Sequence, residues 1–137
     1  MNIPAGVTVS FKNHPTHAPV VWLVSGSVTI DGTLNLDGNP GITGVDGILN
    51  PEPGPGGFRG GAAGPSGSGA GFGPGGGSSV QNASHRTVYG NPQIMPLIGG
   101  SGGGGQNNQT SGSGGGGVIL IAAADTITVS SSAPRSC

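Results

Sequence analysis

The 137-residue chain carries 32 glycines and 12 prolines, only 7 % charged residues and a formal net charge of −1. Its four basic residues, Lys12, Arg59, Arg86 and Arg135, are scattered and make no basic patch, which excludes nucleic acid as a partner. No apolar run reaches the roughly 18 residues of a membrane span, and near-zero net charge favours self-association.

In chain order, Val7, Val9 and Phe11 alternate with Thr8, Ser10 and Lys12, the period-two pattern of a half-buried strand. The loop NHPTHAP interrupts it. Val20 to Val24 is continuously apolar, which predicts a strand covered on both faces. Ser25-Gly26 bends the chain, and Val28 and Ile30 resume the alternation around Thr29. Asp31-Gly32, Asp37-Gly38 and Asp46-Gly47 are turn signals, with Leu34 and Leu36 in a short strand between the first two.

From Gly54 to Gly117 the chain is dominated by glycine, a composition that usually marks a flexible linker. Three features predict order instead. Apolar residues, among them Phe58, Phe72, Val80, Val88, Tyr89, Leu97 and Ile98, are spaced through the block. It holds only two charges, Arg59 and Arg86. It also runs without a polar break into Val118-Ile119-Leu120-Ile121, which reads as a buried strand. Ordered polyglycine has few options, and extended segments in the polyproline II region suit it, with Gly102 to Gly105 packed backbone to backbone against Gly114 to Gly117. In that reading the intervening QNNQTSGS is an exposed polar loop. The absence of a strict Gly-X-Y period excludes collagen.

After the block comes an echo. Val118 to Ile121 aligns with Val21 to Val24, and Ile127-Thr128-Val129 with Val28-Thr29-Ile30, joined by five residues in one copy and three in the other. A repeated strand, bend and strand is what stacked β-coils need. No window shows helical periodicity. The expected fold is all-β without helix: parallel β-helix-like or β-sandwich strands combined with polyglycine segments of polyproline II type. Residues 1–137 are expected to make one domain, with a strand module at 1–38, a glycine-rich segment at 39–117, a second strand module at 118–129 and a tail at 130–137, as part of a larger or assembling protein. No signal-peptide pattern precedes Met1-Asn2-Ile3-Pro4, which suggests a fragment or trimmed product.

The segments IPAGVTVSF, PVVWLVSGSVTIDGTLNLDG, GPGGFRGG and GGGGVILIAAADTITVSSSA resemble the glycine-rich, parallel β-helix-like regions of large bacterial surface and secreted proteins. The GGGG runs are also similar, more distantly, to phage tail-fibre adhesins, whose tips sandwich polyglycine segments. The resemblance implies a coiled β architecture and an extracellular or cell-surface location.

Residues that carry chemistry are few. His14 and His17 offer an HxxH pair, but no Cys or carboxylate adjoins them to complete a zinc site, and His85 stands apart. Asp31 and Asp37 precede glycine, where turn geometry alone favours aspartate over the paired acids of a polysaccharide-cleaving enzyme. No phosphate-binding loop, nucleophile elbow or calcium nonapeptide is present. Hence no enzyme, cofactor or metal is expected. Asn82 and Asn108 begin glycosylation sequons, Trp22 reads as core, and the single cysteine, Cys137, builds no internal framework. The expected function is a structural subunit of an extracellular filament or surface fibre that self-associates through strand edges, with Val7, Val9, Phe11, Ile127 and Val129 as subunit contacts. The alternatives are an adhesin or an ice- or glycan-binding module, and a pectin-lyase-like enzyme.

Overall fold

The computed structural model describes residues 1–43, 50–64, 69–79, 89, 90, 93, 95–106 and 110–130. Among them there is no helix, and therefore none long and apolar enough to cross a membrane. Seven short strands form: β1 (Asn2–Ile3), β2 (Thr8–Ser10), β3 (Val20–Val24), β4 (Val28–Ile30), β5 (Thr33–Asn35), β6 (Ile119–Ala123) and β7 (Ile127–Val129). Every ladder between them is parallel: β1–β4–β7 on one side, β2–β5 on a second, β3–β6 on a third. The chain therefore winds in coils, with β1 and β2 in the first, β3 to β5 in the second, and β6 and β7 in the third. This is the β-helix-like option of the two expected from the sequence.

Alternation decides what each strand buries. Ile3, Val28 and Ile30 form the buried centre, and Val9, Trp22, Val24, Leu34, Ile121 and Ala123 pack around it. Val28 is fully buried, which by area alone is worth about 2 kcal/mol. The ring of Phe11 lies 5.4 Å from that of Trp22 at 49°, closing one corner of the core with a tilted aromatic pair. Gly32 is required where the chain turns out of β4. It sits under the Pro4–Val7 turn, where any β-carbon would overlap the carbonyl oxygens of Pro4 and Val7.

Two expectations about the strands are corrected. Val20 to Val24 is not covered on both faces: Val21 and Leu23 are 51 % and 79 % exposed, because only the face of β3 that carries Trp22 and Val24 packs on the core. The echo also pairs differently. The ladder sets Val20 against Ile119 and Val24 against Ala123, a shift of two residues from the sequence alignment. Ala122 and Ala123 continue the strand, so the two links, 25–27 and 124–126, are equal in length, and Ser27 Oγ donates to Asp125 Oδ2 at 2.7 Å between them. A shift of two preserves the inward and outward faces, which is why the sequence could not distinguish the two alignments.

Between β5 and β6 the chain leaves the coils and builds a bundle of extended segments, 36–42, 50–55, 57–63, 69–79, 97–106 and 110–118. Its backbone bonds repeat every third residue. Ser111, Gly114 and Gly117 donate to Ile42, Asn39 and Leu36; Gly112, Gly115 and Val118 donate to Gly61, Phe58 and Pro55; Gly103 and Gly100 donate to Ser113 and Gly116. Three rows of bonds leave one segment toward three different neighbours, none of them within the segment. That is the polyproline II geometry of three residues per turn, rather than the period of a strand or an α-helix. The 99–105 segment likewise bonds to 58–61, 69–72 and 113–116.

At several positions in the bundle glycine is obligatory because the neighbouring backbone occupies the space of a side chain. A β-carbon on Gly60, Gly102, Gly112 or Gly115 would overlap the carbonyl oxygen of Gly112, Arg59, Gly103 or Gly100 respectively. The entropy lost in ordering glycine is offset by backbone bonds and by contacts at distances other residues cannot reach. Pro55-Gly56 makes a tight corner, with Gly56 at φ +77° and the Gly57 amide donating to the Gly54 carbonyl, a type II turn. Of the expected exposed loop QNNQTSGS, residues 107–109 lie outside the described residues; Gln106 and Ser113 are exposed, but Ser111 and Gly112 are buried. Ser111 is 3 % exposed, and its hydroxyl accepts the Ile42 amide at 2.9 Å, because the row of bonds to the 36–42 segment begins there.

Candidate functional site

Two surfaces are candidates for function: the open end of the coil stack and a groove beside the glycine bundle.

The ladder register sets Ile3, Ile30 and Val129 in one column and Asn2, Thr29 and Thr128 in the next, with Ile127 above Val28. Apolar residues thus continue the inward-facing column into β7. Exposure, however, rises from 5 % at Ile3 and Ile30 to 69 % at Val129 and 45 % at Ile127. No strand among the described residues lies above β7. The Val28 amide donates to Thr126 and the Ser130 amide to Ile30, so the even-numbered residues 126, 128 and 130 face β4. The amide and carbonyl groups of Ile127 and Val129 point to the opposite, open edge.

The other expected contact residues divide. Val7 is exposed and its carbonyl accepts the Thr33 amide, whereas Val9 packs on the core and Phe11 against Trp22. Val9 and Phe11 are therefore engaged inside the molecule. Asn82, Asn108, His85, Arg86, Asp46 and Cys137 lie outside the described residues.

A groove of about 550 Å³ runs between the 13–19 loop and the bundle. Phe58, Phe72, Leu97 and Ile98 give it an apolar wall, and His17 and Arg59 reach it from a polar network. Arg59 Nη2 is paired with Glu52 Oε1, the Asn13 amide nitrogen lies 3.4 Å from Glu52 Oε2, and the same nitrogen lies 2.7 Å from His17 Nδ1. An amide nitrogen only donates, and turning the Asn13 amide would set its oxygen against the carboxylate. His17 Nδ1 therefore accepts, and the ring proton of this tautomer sits on Nε2. His17 holds φ +53°, unusual for a residue with a side chain, in a turn closed by its amide on the His14 carbonyl at 2.8 Å. Asn13 Oδ1 is buried without a hydrogen-bond partner. Strain and an orphaned oxygen thus fall together on the loop that positions His17.

His14 and His17 serve separate local bonds: His14 Nδ1 lies 2.7 Å from Thr16 Oγ1, while His17 Nδ1 meets Asn13. No group of three or more His, Cys, Asp or Glu gathers among the described residues. Asp31 follows β4, and its amide donates to Ile3; the Asp37 amide donates to Asn35 Oδ1 at 2.8 Å, so Asn35 is the residue that caps this turn. Sequence reasoning did not single out the groove. The signal for it was the set of large side chains, Phe58, Phe72, Leu97 and Ile98, set in a glycine-dominated tract. Comparison with protein-family models, with curated proteins and with solved structures gives no match, so the functional reading rests on these two surfaces.

Proposed function

We propose that this chain is a structural unit of an extracellular filament or surface fibre in which the coil stack of one unit is continued by the next. The supporting observation is the column Ile3–Ile30–Val129, whose apolar interior runs to an open end at Val129. Exposed strand edges template further strands, and an end-to-end contact between unlike surfaces does not close on itself, so it propagates as a fibre. Near-zero net charge lowers the repulsion between copies.

Electron microscopy and light scattering of the untagged chain over a concentration range test this reading. Filaments are expected, with a fibre-diffraction spacing of about 4.8 Å along the axis from coils stacked at the strand separation. Monodisperse particles at every concentration would refute it.

A further inference from the structure

We infer that the groove beside the glycine bundle is a binding site for a neutral pyranose ring of a glycan, an activity separate from fibre formation and independent of it. Its volume, about 550 Å³, falls within the range of roughly 300–1,000 Å³ usual for ligand clefts. The chemistry of its two sides selects the ligand. One wall is apolar and includes Phe72, which is 51 % exposed although it lies in a tract with few large side chains. A hexopyranose has an apolar face of C–H groups that an aromatic ring covers, and hydroxyls around its edge that need hydrogen bonds. The groove supplies both. His17, Arg59 and Asn50 all line the groove, and their side chains carry N–H donors: the Nε2–H of this His17 tautomer, the guanidinium N–H groups beyond the one directed at Glu52, and the Asn50 amide.

These donors are held in place from behind. Arg59, Glu52, Asn13 and His17 form one connected chain, in which Glu52 and Asn13 orient the two residues that face the groove. The same chain sets the charge. Glu52 balances Arg59, so the groove carries no net positive charge with which to recognise phosphate, sulfate or a uronate. An aromatic face with oriented donors and balanced charge fits an uncharged sugar.

The test is an array of neutral, sialylated, sulfated and uronate-containing oligosaccharides, probed with the full chain at a concentration where light scattering shows single particles. The best neutral binder is then titrated against variants. Binding to neutral oligosaccharides is expected, weakened about tenfold or more by Phe72→Ala and kept by Phe72→Trp, which restores an aromatic face. Circular dichroism of both variants checks that the coils persist. Binding to no neutral oligosaccharide, a preference for acidic ones, or affinity unchanged in Phe72→Ala would each overturn the assignment. Because single particles are used, failure here leaves the fibre reading untouched, and failure of the fibre reading leaves this one standing.

Discussion

Gly115 and Gly116 are neighbours in the same glycine run, yet a methyl group on Gly115 would overlap the carbonyl oxygen of Gly100, whereas one on Gly116 would meet nothing within 4 Å. The difference follows from the three-residue period, which turns each successive position toward a different neighbour. Gly115→Ala is expected to destabilise the chain by about 3 kcal/mol, since the obstacle is backbone and cannot rotate away. Gly116→Ala is expected to stay within about 0.5 kcal/mol of the parent. Denaturant unfolding of the two variants side by side checks this, and equal losses would contradict the bundle geometry.

Ser111 gives a second check on the bundle, through a side chain. Its buried hydroxyl accepts the Ile42 amide, so Ser111→Ala leaves that donor without a partner. A loss of about 1–2 kcal/mol is expected. Glu52→Gln, which breaks an ion pair whose side chains are 46 % and 43 % exposed, is expected to cost under about 1 kcal/mol. Thermal unfolding of both ranks the two effects.

In the coil stack, burial separates two aliphatic residues of similar hydrophobicity. Val28→Ala removes atoms from the fully buried centre and is expected to cost about 2 kcal/mol. Leu23→Ser acts on a side chain that is 79 % exposed and is expected to leave unfolding unchanged while raising solubility. A large loss in Leu23→Ser would mean that the outer face of β3 is covered after all.

The edge of β7 yields a test that separates folding from assembly. The Val129 amide points to the open edge, and proline is tolerated on the open side of an edge strand. Val129→Pro is therefore expected to keep the monomer folded and to abolish filament growth. Thr128→Pro removes an amide directed at β4 and is expected to destabilise the monomer itself. Circular dichroism with light scattering distinguishes the two outcomes.

Much of this architecture was legible in the residues, and its limits have physical causes. Alternation at Val7–Phe11 and Val28–Ile30 marked strands correctly, because a period of two reports directly on a half-buried face. The run Val20–Val24 misled, because an apolar outward residue such as Leu23 looks the same in sequence as a buried one. β1 was not foreseen: two residues, Asn2 and Ile3, are too few for any period. The ordered glycine bundle was legible in its low charge and spaced apolar residues, and so was the meeting of the two glycine runs around 102–105 and 114–117; the other segment pairings were not, because glycine carries no side chain to indicate a partner. The groove was missed for a related reason. His17, Arg59 and Phe72 are far apart in sequence, and only the folding of the bundle against the 13–19 loop brings them together.

The two parts of the molecule obey different rules for gain or loss of length. In the coils, an inserted residue inverts every side chain after it, so strands tolerate change only in steps of two. In the bundle, one inserted residue rotates all later positions by about 120°, sending Gly115 where Gly116 was and a side chain where only hydrogen fits. Segments there can lengthen or shorten without loss only in whole triplets, so a laboratory deletion series through 111–118 is expected to show survival at every third step.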